Sequence, residues 1–409
     1  MASNMAEKAG EPLVRKTPYP YRSMLAICSD LDETPDRHVY FETLRFLNTN
    51  QETPMGPGLS LETGNTIYFN MPPDQFSYWN TDDLGRHIIL TLMNSGHIDC
   101  LHSYGDLAAS RADAEKAVNE MSRRNCRLEV WIDHAVAPTN FGPDIMCGKG
   151  DIPGSRAYHA DITCGFGIRF VWLGRVTSVI GQDSARNLKG IWNMADAPSS
   201  FKTVLKEFLK GTLAVFGKEK YAMHGPNRVI RETRLRDGRP VYEFLRCNPH
   251  YKGVSSGETA DGIAEVLAPK FLNRLVQTEG ICILYTHLGK VSNRAVPISP
   301  ASAGAFRGLA DYYARGKILV ATTRRILNYC LMKKDLRLSH SLKDGCTAID
   351  IENPHPNSLD GLTLYCGLPE KTRITVNGRE AGGLRLNPPD HTGRPSISFP
   401  WKRLEFPVI

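Results

Sequence analysis

The chain has 409 residues, of which 50 are lysine or arginine and 43 are aspartate or glutamate, giving a formal net charge of +7. Spread over a protein of this size, so small an excess argues against nucleic acid as a partner and is compatible with an anionic small substrate. The length is too great for one small core and indicates a large domain accompanied by a smaller one.

The sequence carries no sign of secretion or of a membrane span. Residues 1–22 are polar and lack the apolar stretch of a signal peptide, and no later run approaches the roughly 20 apolar residues that cross a bilayer. The 10 cysteines are scattered without a Cys-x-x-Cys pair, and Cys28, Cys282 and Cys330 fall within apolar runs. We therefore expect reduced cysteines and a cytoplasmic protein.

Apolar runs and helical periodicities alternate along most of the chain. The predicted elements are, in chain order, a strand at 24–28, a helix at 37–48, a strand at 66–70, a helix at 82–94, a strand at 98–103, a helix at 108–124, a strand at 128–132, a helix at 157–164, a strand at 168–173, an amphipathic helix at 201–216, a hairpin at 228–245, a helix at 263–278, a strand at 281–285, a helix at 303–315, a strand at 318–321 and a helix at 323–334. Residues 212–216 are expected to be helix core. This alternation predicts an α/β fold with parallel strands and crossover helices.

The pattern changes near Leu338, where short β-like runs and the turn Asn377-Gly378 replace the helical periodicity. These features predict a small all-β domain. We therefore expect an N-terminal extension at 1–22, a main domain at 23–334 and a C-terminal β domain at 335–409.

Asp30-Leu31-Asp32 directly follows the first apolar run. In a strand, residues two apart point to the same face, so the two carboxylates would lie side by side. Their repulsion favours a bound cation or a shared proton. The alternative is that the pair caps a helix beginning near Pro35.

Further polar residues stand at the ends of other predicted strands, namely His102, Asp106, His134 and His287. Ligand sites of parallel α/β proteins collect at the carboxyl ends of the strands. If the chain becomes helical after His102, Asp106 lies on the same face and both residues could share a metal ion. Otherwise Asp106 caps the next helix and His102 belongs to the core.

Adding Asp32 to His102 and Asp106 completes a set of three metal ligands that leaves positions open for water and substrate. Asp30 would then be the base for a metal-activated water, and His287 the acid for the leaving group.

Three weaker candidates are predicted to contact the substrate. His134 and Asn140 flank a possible substrate loop, although a capped turn after a strand explains them nearly as well. His159 could add a substrate contact or a ligand, and the alternative is a packed histidine at the start of a helix.

These motifs resemble those of the polysaccharide deacetylase (chitooligosaccharide-deacetylase-like) superfamily. Asp30-Leu-Asp32 is similar to its first motif, in which one aspartate is the base and the next a ligand. His102-Ser-Tyr-Gly-Asp106 is similar to its paired-ligand motif, and His287 to its late acidic histidine. The resemblance implies a deformed (β/α) barrel over about residues 23–334 that uses a divalent metal ion to remove an acyl group from a carbohydrate or glycoconjugate.

The sequence departs from that family at several positions. Leu31 separates the two aspartates, Asp106 replaces the second ligand histidine, and the Arg-x-Pro-Tyr and Asp-x-x-x-Trp motifs have no clear counterpart. A carboxylate in place of an imidazole shifts the expected ion from Zn²⁺ towards Mn²⁺ or Mg²⁺, with Co²⁺ and Zn²⁺ still possible.

Two other functions compete with this interpretation. Asp30-Leu-Asp32-Glu33-Thr34 matches the signature of haloacid-dehalogenase-type phosphatases, in which Asp30 would be the nucleophile and Asp32 the acid/base. That assignment leaves His102, His134 and His287 without roles. A glycan-binding protein on a degenerate, non-catalytic barrel is the other alternative. The test is whether Asp30, Asp32, His102 and His287 converge to within roughly 3–6 Å.

Overall fold

The computed structural model describes residues 13–343, 345–354 and 359–409. The chain divides into two compact units. The larger unit consists of Ser23–Ile326 with Leu404–Ile409, and the smaller one combines the described part of Met1–Arg22 with Leu327–Arg403.

The helices of the described chain are α1 (Arg37–Asn48), α2 (Asp83–Ser95), α3 (Arg111–Arg123), α4 (Ala160–Phe166), α5 (Ala197–Val215), α6 (Ile263–Val266), α7 (Pro269–Thr278), α8 (Pro300–Ala314) and α9 (Thr323–Asp335). Most of the long ones begin at a side chain that accepts a hydrogen bond from the first turn: Asp36 caps α1, Asp82 caps α2, Asp196 caps α5 and Ser299 caps α8.

The strands are β1 (Leu13–Val14), β2 (Ser23–Ser29), β3 (Glu52–Thr53), β4 (Gly56–Pro57), β5 (Gly64–Ile67), β6 (Ile98–His102), β7 (Val130–Ile132), β8 (Phe170–Trp172), β9 (Val176–Thr177), β10 (Ile230–Arg234), β11 (Pro240–Phe244), β12 (Arg246–Cys247), β13 (Ile281–Thr286), β14 (Ile318–Val320), β15 (Arg337–Lys343), β16 (Cys346–Glu352), β17 (Thr363–Tyr365), β18 (Thr372–Val376), β19 (Arg379–Glu380), β20 (Arg385–Asn387) and β21 (Ser396–Ser398).

One sheet of 11 strands organises the larger unit, in the order β10-β11-β8-β7-β6-β5-β2-β13-β12-β9, with β14 also paired to β2. Every pairing in it is parallel except the β10–β11 hairpin. β11 lies near one end of this order and β12 near the other, yet only Leu245 separates them along the chain. The sheet therefore curls back on itself, which is compatible with the deformed barrel predicted from the sequence.

Helices cover the outer side of the curled sheet. Cys282 and Leu284 of β13 pack in one apolar cluster with residues of α7 and α8, and Leu101 of β6 packs in another with residues of α2 and α3. Because strand side chains alternate, Tyr285 and His102 point to the opposite, inner side. The alternation of side chains along each strand therefore determines which candidate residues point to the inner side.

Most predicted elements of this unit are present with small shifts in their ends. The hairpin around Asp237 is confirmed, because β10 and β11 pair antiparallel from Ile230 opposite Phe244 to Arg234 opposite Pro240. The single helix predicted at 263–278 is instead two helices, α6 and α7. Pro269 opens the second, since proline lacks the backbone N–H that a continuous helix needs at that point.

The prediction that residues 212–216 form helix core is wrong. The side chains of Val215 and Phe216 are 82% and 75% exposed. The helix is amphipathic, as its periodicity predicts, but the apolar side of α5 faces solvent.

The smaller unit is all-β except for the part of α9 that it contains and one 3₁₀ turn, among the residues described. β1-β17-β21-β20 form one four-stranded sheet and β15-β16-β18-β19 another. The N-terminal strand β1 pairs antiparallel with β17, so residues 13–22 group with the C-terminal strands. No helix in the described ranges has the length and apolar character to cross a membrane.

Candidate metal centre

Polar side chains from several strand ends meet at the carboxyl edge of the sheet. Asp32, which follows β2, is at their centre. Its carboxylate lies 3.5 Å from Nδ1 of His102, 3.3 Å from Nε2 of His134 and 3.5 Å from Nε2 of His287. Asp30 joins the same group, with Oδ2 3.9 Å from Nε2 of His287. Asp30, Asp32, His102 and His287 therefore lie in one cluster.

Three members of this cluster could hold one ion between them. Asp32, His102 and His134 each offer a ligand atom, and these atoms all lie within 4.8 Å of one another. Nδ1 of His102 is buried and has no hydrogen-bond partner in the described part of the chain. Two imidazoles and one carboxylate form a donor set typical of Zn²⁺ and of neighbouring transition metals.

Asp106, predicted as a ligand, instead contacts the far side of His134. Its Oδ1 lies 2.8 Å from Nδ1 of His134, while Nε2 of that ring faces Asp32. A carboxylate behind a ligand histidine fixes the orientation of the ring and raises its basicity. The structure therefore places the imidazole of His134, and not the carboxylate of Asp106, beside Asp32 and His102.

The local backbone explains this exchange. The chain does not become helical after His102, because Ser103 and Gly105 adopt φ values of 54° and 100°. A Cβ on Gly105 would lie 2.3 Å from the carbonyl oxygen of Asn70, so only glycine fits there. The next helix, α3, begins at Arg111 and is capped by Ser110. Asp106 therefore neither caps that helix nor lies on one face with His102.

Asp30 is held by a buried arginine, Arg246, and the sequence did not predict this pairing. Nη1 of Arg246, on β12, donates to Asp30 Oδ2 at 2.7 Å, and Nη2 donates to the carbonyl oxygen of Cys28 at 3.1 Å. The guanidinium carbon also lies 4.8 and 4.9 Å from the ring centroids of Trp172 and Tyr285. Oδ1 of Asp30 is buried and has no hydrogen-bond partner among the described residues. One oxygen is thus fixed and the other left available.

Tyr68, which follows β5, is another residue that sequence reasoning missed. Its hydroxyl donates to Asp32 Oδ1 at 3.4 Å, and its ring stacks on that of His102 with the centroids 5.1 Å apart. Two signals pointed to these missed residues. Tyr68 ends an apolar strand run, and Arg246 interrupts one at an inward-facing position.

The charges of the cluster are strongly coupled. Burial by itself raises the pKa of Asp32, but hydrogen bonds with His134 and His287 outweigh it and hold that pKa well below its usual value. Burial lowers the pKa of His102 to about 4, so this imidazole is neutral. Burial also disfavours charge on His134, yet Asp106 and Asp32 raise its pKa to about 10. The carboxylates of Asp32 and Asp106 thus favour a positive charge on the His134 ring, which lies between them.

The loop after β7 positions His134. Asn140, predicted to bind substrate, is fully buried. Its Oδ1 accepts from the backbone N–H of His134 at 2.9 Å, and its Nδ2 donates to the carbonyl oxygens of His134, Ala135 and Met146. The polar atoms of Asn140 are used to hold the loop, so its role here is to position the histidine.

We expect Asn140→Ala to lower the free energy of unfolding by about 1–3 kcal/mol, because it leaves buried backbone groups of the loop without partners. Denaturant unfolding monitored by circular dichroism measures this change. The matched control is Asn119→Ala on the exposed side of α3, which should change stability by less than about 0.5 kcal/mol. Equal stability of Asn140→Ala and wild type would show that the loop does not depend on Asn140.

His159, also predicted to contact substrate, lies in the core. Its Nδ1 pairs with the Thr163 hydroxyl at 2.8 Å and its Nε2 with the carbonyl oxygen of Thr139 at 2.7 Å. The ring packs against Tyr104, Trp131 and Phe141. The structure therefore supports the alternative interpretation, a packed histidine.

Burial lowers the pKa of His159 to about 4. Since an unfolded histidine titrates near 6.5, the unfolded chain binds the proton first as the pH falls, so stability is lost between about pH 6.5 and 4. The full loss from this one residue is about 3 kcal/mol. We expect His159→Gln to flatten that part of the stability profile in urea unfolding, whereas the exposed control His38→Gln should keep it. Identical profiles for His159→Gln and wild type would contradict this.

A second group, Cys28, Asp99 and Cys100, has a similar spacing beneath the first. The two sulfur atoms lie 3.5 Å apart. Burial raises the pKa of Asp99 to about 6 and that of Cys100 well above its usual value. The raised pKa disfavours the thiolate of Cys100, which is the form that binds a metal, so this group is the weaker of the two candidates.

Protein-family models give no match to the chain, and no curated protein or solved structure shows significant similarity to it. The function of this site therefore follows only from the chemistry of its own residues.

Proposed function

We propose that this protein is a metal-dependent hydrolase that removes an acyl group, in the first instance acetyl, from a carbohydrate. The observation that carries the proposal is the arrangement around Asp32, with two histidines on one side of its carboxylate and an acid–base pair, Asp30 and His287, on the other. Such a pair next to a ligand set is what hydrolysis of an ester or amide requires.

Asp32, His102 and His134 would hold the ion, with Asp106 orienting His134 from behind. The fit is supported by the buried, unpartnered Nδ1 of His102 and by a donor set suited to Zn²⁺, Co²⁺ or Mn²⁺. When bound, a divalent cation there supplies Lewis-acid polarisation of the acyl carbonyl and lowers the pKa of an attacking water.

Asp30 is suited to accept the proton of the attacking water. Arg246 fixes Oδ2, which leaves Oδ1 as a buried acceptor without a partner in the described chain. Both residues are buried, so the carboxylate has little rotational freedom and the orientation of the free oxygen is set in advance. This supports the role of base that the sequence predicted for Asp30.

His287 is suited to protonate the leaving group. Its Nε2 faces both Asp30 and Asp32, and its backbone N–H donates to the carbonyl oxygen of Glu258 at 2.7 Å, which holds the start of the loop after β13. The edge-on ring of Tyr285, with centroids 4.8 Å apart, packs against it. His287 thus lies near both carboxylates, with Asp30 as the proton acceptor and His287 as the separate proton donor.

The test is release of acetate from acetylated oligosaccharides by protein loaded with Zn²⁺, Co²⁺ or Mn²⁺ in turn, beside metal-stripped protein. We expect acetate from at least one sugar with the loaded protein, and loss of that activity after chelation. A phosphate ester assay is run in parallel, because Asp30 is also the nucleophile in the phosphatase alternative. Metal-independent or phosphatase activity that depends on Asp30 would contradict the proposal.

A further inference from the structure

Helix α5 has its polar side against the protein and its apolar side towards solvent. The buried residues of the helix are Ser200, Thr203, Glu207 and Gly211. Glu207 accepts from the Thr177 hydroxyl at 2.8 Å and from Lys210 Nζ at 2.6 Å, and the Thr203 hydroxyl donates to the carbonyl oxygen of Tyr251 at 2.7 Å. This is the reverse of the usual arrangement in a soluble domain, where the apolar stripe is buried.

The outward side of α5 forms what we call the α5 apolar face. Its members are large apolar side chains that are all at least 44% exposed: Phe201, Leu205, Phe208, Leu209, Val215 and Phe216. Their spacing of three, four and seven residues places them along one stripe. Met194, which precedes the helix, is 81% exposed. Contiguous exposed apolar surfaces of this kind mark interaction sites.

Most of the charges around this face are positive, and the exposed Glu219 that follows Lys218 is paired with Arg231. Lys189, Lys202, Lys206 and Lys218 are exposed in or beside the helix. The two acidic residues between positions 189 and 218 are Asp196, which caps the helix, and Glu207, which is buried. An apolar stripe bordered by lysines, on a helix whose two carboxylates lie at its N-cap and in its buried side, has the character of a helix that lies in the interface of an anionic membrane.

We propose that the α5 apolar face binds the surface of a membrane that contains anionic lipids, with the phenylalanine and leucine side chains entering the headgroup region and the lysines contacting lipid phosphates. The charge pattern favours this occupant over a second copy of the chain. Two copies joined through α5 would bring Lys202 and Lys206 of both together, and the α5 apolar face has no carboxylate to pair with them among its described residues. The proposal is independent of the hydrolase function.

Vesicle sedimentation tests this, with vesicles of phosphatidylcholine alone and of phosphatidylcholine mixed with phosphatidylglycerol. The full chain should sediment with the mixed vesicles, weakly with phosphatidylcholine alone, and less as salt is raised. Lys202→Gln and Lys206→Gln should each weaken binding about fivefold. Phe208→Asp should weaken it by about tenfold or more.

The matched control is Leu84→Asp, which replaces a similarly exposed leucine on α2 and should bind as wild type does. Because the substituted side chains are exposed, circular dichroism should show all variants folded. Absence of binding to the mixed vesicles, or equal binding by every variant, would overturn the proposal. So would a concentration-dependent dimer that ignores vesicles and is abolished by Phe208→Asp in light scattering.

Discussion

Asp30→Asn is expected to lower kcat for acyl hydrolysis by about 10²- to 10⁴-fold, because the amide cannot accept the proton of the attacking water. The metal content should stay that of the wild type, since Asp30 is not among the three side chains that could share the ion. Steady-state acetate release and elemental analysis of the same preparation measure the two effects together.

The matched control is Glu33→Gln, which removes a neighbouring carboxylate that is exposed and pairs with Lys290 on the surface. It should leave kcat within about twofold, as expected for an exposed pair. Thermal unfolding of Asp30→Asn checks that Arg246, which keeps its hydrogen bonds to the carbonyl oxygens of Cys28 and Leu284, still supports the fold. Full activity of folded Asp30→Asn would exclude it as the base.

His134→Ala is expected to lose the metal almost completely, whereas Asp106→Asn should weaken metal affinity by only about 10- to 100-fold. The first removes a ligand and the second removes the carboxylate that orients it. Competition with a chromophoric chelator measures both affinities. The comparison separates the ligand set proposed from the structure, with His134, from the one predicted by the sequence, with Asp106.

His159→Gln is the control, because it replaces a buried histidine that does not contact the cluster. It should retain metal with wild-type affinity. If instead Asp106→Asn lost the metal as completely as His134→Ala, Asp106 would be a ligand and the original prediction would stand.

The sequence predicted the site best where a candidate residue directly follows an apolar strand. The runs before Asp30, His102 and His287 are apolar enough to define strands, and the alternation of side chains then places these residues on one side of the sheet. Parallel order supplies the rest, because the carboxyl ends of parallel strands share one edge. These three residues could therefore be brought together without a structure.

The ligand set could not be predicted, because it depends on a loop. A helical continuation after His102 would have put Asp106 beside it, but the positive φ of Ser103 and Gly105 turns the chain away. His134 enters the cluster because Asn140 holds its backbone from six residues further on. Neither the turn after His102 nor the hydrogen bonds of Asn140 produces a periodic sequence pattern, so neither could be predicted.

The long-range pairing of Arg246 and the buried side of α5 could not be predicted from the sequence either. Arg246 reaches Asp30 across 216 positions of the chain, and nothing local in the hairpin indicates that partner. The amphipathic pattern of α5 was evident in the sequence, but the pattern alone does not say which side is buried. In the structure the polar side is buried, and Glu207 on that side accepts hydrogen bonds from Thr177 and Ser178.

The most direct measurement is the anomalous X-ray scattering of crystals grown with Zn²⁺, recorded on either side of the zinc absorption edge. The account predicts one strong peak in contact with Asp32, His102 and His134, with Asp106 touching His134 but not the ion. A peak at Cys28, Asp99 and Cys100 instead, or no peak near Asp32, would contradict it.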